Sequence, residues 1–101
     1  MARNPSTTTS GGIFSDATID AVWQKGTPEP GLSHFRKDTC GASMQRSEYG
    51  NTSSKYGWEI DHKQPVAKGG SDDLSNLQPL QWENNRHKGD DWRTFTCKVK
   101  N

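Results

Sequence analysis

The chain has 101 residues, which is the length of one small domain, and only 28% of them are hydrophobic. Its 13 basic and 12 acidic residues leave a formal net charge of +1, which is not typical of a strongly basic nucleic-acid binder, so a local patch or a bound metal must supply the attraction for a nucleic acid. No apolar run approaches the roughly 20 residues of a membrane-spanning helix. With so few apolar residues, the four Trp, three Phe and two Tyr must provide much of the core.

The first residues predict a tail. Residues 1–12 are rich in Ser, Thr and Gly, a composition typical of disorder, so we expect a disordered tail followed by one domain over 13–101. The tail lacks the apolar segment of a secretory signal, and the expected compartment is therefore the cytoplasm.

The next segment predicts a helix. Ser15 is a good N-cap for a helix from Asp16 to about Lys25. Three apolar residues at helical spacing form one stripe, typical of a helix that packs on a core: Ile19, Val22 and Trp23. Gly26 ends this helix, and the two prolines in 27–31 predict a stiff loop.

The segment from Phe35 to Met44 predicts a β-hairpin that turns near Cys40. The chain's other cysteine is Cys97. Two cysteines without a signal sequence are more often free thiols, and a disulfide is the alternative. From Asp91 onward, alternating side chains predict a final strand.

A polar stretch over 56–90 is the most informative part of the chain. Trp58 to His62 alternates apolar and polar residues, as a half-buried strand does. The Gly69-Gly70 pair predicts a turn, and 76–80 predicts a second short strand. Residues 81–88 favour a helix that ends at a C-cap glycine. The predicted order is strand, loop, strand, helix.

The side chains of this stretch suit phosphodiester hydrolysis. The imidazole of His62 can take a proton near neutral pH. Asp61 and Asn85 offer hard oxygen ligands, which Mg²⁺ and Mn²⁺ prefer. Asn84 and His87 lie on the same predicted helix and are rival ligands.

The stretch resembles the HNH endonucleases and their ββα-metal motif. The matching elements are, in chain order, Asp61-His62, Pro65, Gly69-Gly70, Asn76-Leu77 and Asn85-Arg86-His87-Lys88. Residues 35–50 also resemble the hairpin that precedes the motif in some small members. The resemblance implies an α+β fold, a small single domain with a ββα-metal HNH motif, an N-terminal helix and a preceding β-hairpin.

The resemblance also implies roles for individual residues. His62 is the expected general base, Asn76 orients His62 and its loop, and Asp61 and Asn85 hold one divalent cation, Mg²⁺ or Mn²⁺. The expected substrate contacts are Lys63, Arg86 and Lys88. For Lys63, where many members have an apolar residue, a merely solvated side chain is the alternative. Many members also bind a structural zinc through two Cys-x-x-Cys pairs, and with two cysteines in the chain no such zinc is expected.

The function implied is that of a metal-dependent endonuclease, a phosphodiester hydrolase that nicks one strand of DNA with low sequence specificity. RNA as substrate, and the oligomeric state, stay open. One alternative is a non-catalytic nucleic-acid-binding or assembly subunit that retains the ββα-metal fold, such as a partner within a phage or restriction machine. Another is a metal-stabilised structural protein without a nucleic-acid partner.

Overall fold

The computed structural model describes residues 4–100, and within them the chain forms two α-helices, three short 3-10 helices and two antiparallel sheets. The α-helices are α1 (Asp16–Trp23) and α2 (Trp82–Lys88). The strands are β1 (Thr27–Glu29), β2 (Leu32–Lys37), β3 (Ser43–Gln45), β4 (Trp58–His62) and β5 (Leu77–Gln81). No helix in the described part of the chain is long and apolar enough to cross a membrane.

Helix α1 confirms the predicted amphipathic helix. The hydroxyl of Ser15 accepts a hydrogen bond from the backbone N–H of Thr18, as an N-cap should. The predicted apolar stripe is the buried face, and it packs with Trp58 and Leu77 of the second sheet into one core. Helix α1 therefore covers one side of the sheet that carries the polar motif.

The first sheet has the order β1-β2-β3 and contains the predicted hairpin, in which Phe35 pairs with Gln45. Strand β1 occupies part of the segment predicted as a stiff loop, and Thr27 pairs with Lys37 of β2. Pro28 is tolerated there because β1 is an edge strand, where one side of the backbone needs no donor.

The second sheet pairs β4 with β5, from Trp58 opposite Gln81 to His62 opposite Leu77. Helix α2 follows β5 directly and contacts both strands. The predicted order of strand, loop, strand, helix is confirmed. All of β5 is buried, because helix α1, helix α2 and strand β3 all contact it.

The prediction of free thiols is wrong, because Cys40 and Cys97 form a disulfide with their Cα atoms 5.7 Å apart. The predicted final strand is also absent from the described residues. The backbone donors of Lys98 and Val99 go instead to the side-chain oxygen of Asn84, at 2.8 and 2.7 Å. The C-terminal segment is thus attached to α2 and to the hairpin turn, and it has no neighbouring strand.

The buried carboxylate of Asp38 also links the hairpin turn to α2. One oxygen of Asp38 accepts from the backbone N–H of Cys40 and Ala42, both at 2.9 Å. The other accepts from Gln81 N at 2.9 Å and Asn84 Nδ2 at 3.0 Å. Four donors satisfy this charge, so the cluster stabilises the approach of the hairpin to the helix.

Within the segment expected as a disordered tail over 1–12, the structure describes residues 4–12. Residues 4–12 lie against the domain, where the hydroxyl of Ser6 accepts from Ile60 N at 2.8 Å and lies 2.8 Å from the Tyr49 hydroxyl. Thr9 donates to the carboxylate of Asp72 from its backbone N–H and its hydroxyl. Residues 1–3 lie outside the described part of the chain.

Candidate functional site

Four of the predicted site residues line one cavity of about 410 Å³: Asp61, His62, Asn85 and Arg86. Strand β4 ends with Asp61 and His62, and helix α2 brings Asn85 beside them because the helix begins directly after the paired strand β5. The opposite wall includes residues 4–7 and 65–67. The cavity therefore lies between the strand end, the helix and the N-terminal segment.

The carboxylate of Asp61 is buried and has two donors. Gln78 Nε2 donates to Oδ2 at 2.9 Å, and the Lys88 ammonium lies 3.1 Å from Oδ1. Burial raises the pKa of Asp61 above its ordinary value, although the hydrogen bond from Gln78 and the charge of Lys88 oppose that shift. Because an ionised carboxylate can accept about four hydrogen bonds, Asp61 retains lone pairs for a cation.

The imidazole of His62 is held by a residue that the sequence did not single out. Its Nε2 atom lies 2.8 Å from Oδ1 of Asp72, and its ring packs against Phe14 with centroids 6.0 Å apart. Burial is the largest single effect on the pKa of Asp72 and raises it, but the hydrogen bonds from His62 and Thr9 together hold the pKa below its ordinary value. An ionised carboxylate only accepts, so Nε2 of His62 carries a proton and Nδ1 of the neutral ring is the basic atom.

The orientation of the Asn85 amide is determined by Glu59. Asn85 Nδ2 donates to Glu59 Oε1 at 2.9 Å. Because a carboxylate cannot donate, the nitrogen end of the amide must face Glu59, which leaves Oδ1 as the end that can serve as a ligand. Glu59 also binds Arg86 through Nε at 3.2 Å and Nη2 at 2.9 Å, and this hydrogen bonding raises the pKa of Arg86.

Asn76 holds the loop between β4 and β5, and its side chain makes no hydrogen bond to the His62 ring. Its Oδ1 accepts from Gln64 N at 2.9 Å, and its Nδ2 donates to the carbonyls of Gln64 and Ser71. A Cβ atom at Gly70 would lie 1.8 Å from the Gln64 carbonyl oxygen, so the close packing of this loop requires glycine. Asn76 thus shapes the loop that carries the ring's partner.

The expected substrate contacts occupy three different environments. The side chain of Lys88 is 2% exposed, and its ammonium donates to the His62 carbonyl at 3.1 Å as well as pairing with Asp61. This burial does not support the phosphate contact expected of Lys88. The guanidinium of Arg86 is half-exposed but paired with Glu59, whereas Lys63 is exposed.

Two functional neighbours, Asp72 and Glu59, are missing from the sequence expectations. The sequence pattern could have indicated Glu59, because it lies two residues before Asp61 on β4 and so faces the same side of the strand. Asp72 had a weaker signal, since nothing in a Ser-Asp-Asp turn shows which carboxylate reaches the ring.

The donor set fits a hard divalent cation. The described residues contain no cluster of three His, Cys, Asp or Glu side chains that would hold a metal on their own. One carboxylate and one amide oxygen at the same cavity match Mg²⁺ or Mn²⁺, which keep several water ligands and bind substrate phosphate.

An antiparallel strand pair followed by a helix, with Asp-His on the first strand and Asn on the helix, defines the ββα-metal class of nucleases. The family model described as HNH endonuclease matches residues 38–91, more than half of the chain. The chain therefore belongs to the HNH endonuclease family. No curated protein and no solved structure is significantly similar to it.

Proposed function

We propose that this protein is a divalent-metal-dependent endonuclease that hydrolyses phosphodiester bonds in DNA, nicking one strand with low sequence specificity. The observation that best supports this function is that Asp61, His62 and Asn85 line the same cavity. One such site cleaves one strand, so a monomer is expected to nick. RNA carries the same kind of phosphodiester bond and stays the alternative substrate.

Asp61 and Asn85 would hold the cation, Mg²⁺ or Mn²⁺. When bound, the ion neutralises charge on the scissile phosphate and on the leaving 3′-oxygen. Gln78 and Glu59 position these two ligands by the hydrogen bonds described above. Because an amide oxygen favours a hard ion, zinc should support cleavage poorly.

His62 is the proposed general base. Its Nδ1 takes a proton from the attacking water as the new oxygen–phosphorus bond forms and the bond to the 3′-oxygen breaks, and the leaving oxygen is protonated from solvent. Asp72 accepts a hydrogen bond from the Nε2–H group and stabilises the imidazolium that forms. The result is a 5′-phosphate and a 3′-hydroxyl.

The test is a plasmid nicking assay with Mn²⁺, with EDTA as the metal control. His62→Ala should abolish nicking while the fold is kept, and Asp61→Ala should also weaken Mn²⁺ binding. His34→Ala is the matched control, because His34 is an exposed imidazole on β2. Full activity of His62→Ala would contradict the assignment.

One observation favours the alternative of a non-catalytic nucleic-acid-binding or assembly subunit. The buried ammonium of Lys88 already neutralises Asp61 at 3.1 Å, which reduces the carboxylate's need for a metal. Isothermal titration of the wild type with Mn²⁺ separates the two functions. DNA binding without metal binding or nicking would support the alternative.

A further inference from the structure

A second cavity, of about 110 Å³, carries a concentration of positive charge. Its lining includes Lys25 after α1, Lys37 at the end of β2 and Lys63 directly after His62. All three lysines are exposed. We call these three residues the lysine cleft.

The charge of the lysine cleft is not compensated by carboxylates. The ion pairs between side chains of residues 4–100 are Arg46–Asp20, His62–Asp72, Arg86–Glu59 and Lys88–Asp61, and none includes a cleft lysine. The Lys25 ammonium donates to the neutral carbonyls of Leu74 and Leu77. Burial, and then the charge of Lys63, lower the pKa of Lys25.

The carboxylate in the lining does not cancel this charge effectively. Asp38 is buried, and its two oxygens are occupied by four donors in the link between the hairpin turn and α2. The cleft is therefore lined by three lysines and by one carboxylate whose hydrogen bonds are already satisfied. Like charges held together without a counter-ion are expected to attract an anionic ligand.

We propose that the lysine cleft binds a backbone phosphate of the nucleic-acid strand next to the cleavage site. The cleft is linked to the candidate site through Gln78, which lines the cleft and donates to Asp61 at 2.9 Å. The phosphate in the lysine cleft and the scissile phosphate would belong to one strand. As a substrate contact, the inference therefore rests on the proposed function. The lysine cleft provides cations for phosphate binding, whereas Lys88 and Arg86 are paired with carboxylates.

The experiment measures binding in inactive protein. His62→Ala is titrated with a fluorescein-labelled 20-base-pair duplex in EDTA, by anisotropy, over a series of NaCl concentrations. Lys37→Ala and Lys63→Ala are each added to this background. Each should reduce the slope of log K against log salt by about one, and the double variant by about two. The matched control is Lys55→Ala, which removes the same charge from a residue that does not line the cleft.

A slope that falls no more than with Lys55→Ala would overturn the inference. Replacing chloride by inorganic phosphate at equal ionic strength tests for a free-phosphate site. Lys37-dependent binding of inorganic phosphate that leaves duplex binding unchanged would assign the cleft to free phosphate instead and also overturn it. In the active protein, Lys37→Ala should raise KM and leave kcat unchanged. If the wild type does not nick but the lysine-dependent slope remains, the proposed function fails and the phosphate contact stands.

Discussion

Nε2 of His62 lies 2.8 Å from Oδ1 of Asp72, on the loop between β4 and β5. The same carboxylate accepts hydrogen bonds from Thr9 of the N-terminal segment. The orientation of the proposed base therefore depends on two segments outside the strand that carries it. The side chain of Asn76 holds the loop that carries this carboxylate and does not contact the ring by a hydrogen bond.

The first prediction concerns Asp72 as a positioning residue. Asp72→Ala should lower kcat by about 10- to 100-fold, the usual effect of losing a group that orients a site residue, with little change in KM or Mn²⁺ affinity. Asp72→Glu keeps a carboxylate on the loop and should recover part of the rate. Single-turnover cleavage and Mn²⁺ titration measure these quantities.

A spectroscopic signature separates positioning from simple loop support. Long-range ¹⁵N–¹H NMR should show the Nε2–H tautomer of His62 in the wild type and a mixture of tautomers in Asp72→Ala. Asp73→Ala is the control, because Asp73 is the exposed neighbour and makes no hydrogen bond to the ring. Equal losses of kcat in the two variants would contradict a specific role for Asp72.

The second prediction is a pH dependence of stability. The native pKa of Asp72 is lowered, because hydrogen bonds to the ionised form outweigh burial. The unfolded state therefore binds more protons between the two pKa values, and stability rises with pH there. The contribution is complete above the unfolded value of about 3.9 and is lost as the pH falls through the native value.

The measurement compares melting temperatures of metal-free wild type and Asp72→Asn. The difference between them should be constant above about pH 5 and shrink toward pH 3. It should also be small, because the Asp72 side chain is 37% exposed. If the difference in melting temperature is as large near pH 3 as it is above about pH 5, the charge of the Asp72 carboxylate is not its cause.

The local pattern was sufficient to predict the second sheet and α2. Trp58 and Ile60 alternate with polar residues, and Gly89 marks the helix end, so the bounds agree to within one residue. The disulfide was not predictable, because Cys40 and Cys97 are 57 residues apart and no local signal relates them. The contact of Asp72 with His62 depends on the loop's path, which tertiary packing at Gly70 determines.

The third prediction concerns the disulfide. It closes a loop of 57 residues, and the chain-entropy relation gives a stabilisation of about 4 kcal/mol from the restricted unfolded state. Cys97→Ser, or reduction of the wild type, should lower the free energy of unfolding in urea by a similar amount. A reductant should have no effect on Cys97→Ser. Equal stability of the oxidised and reduced wild type would contradict the prediction.

The redox state also bears on where the protein acts. Thiols in the cytosol reduce most disulfides. The disulfide between Cys40 and Cys97 therefore does not support the cytoplasmic location expected from the sequence, which stays a prediction. Trapping of free thiols by alkylation in intact cells would measure which form is present.

The last prediction assigns Lys88 to the interior and not to the substrate. Lys88→Met should lower the free energy of unfolding by about 3–5 kcal/mol, because it leaves the buried Asp61 charge without its partner. It should leave the salt dependence of DNA binding unchanged, since a side chain that is 2% exposed makes no phosphate contact. Lys68→Met is the control, because Lys68 is an exposed lysine on the neighbouring loop.

Mn²⁺ gives the same variant a second readout. If Asp61 is a ligand, a divalent cation can take over the role of the missing ammonium, and Mn²⁺ should raise the melting temperature of Lys88→Met more than that of the wild type. Lys88 and a metal would then be alternative partners of one buried carboxylate. If instead the salt slope of Lys88→Met falls by about one while its stability is unchanged, Lys88 contacts phosphate in solution.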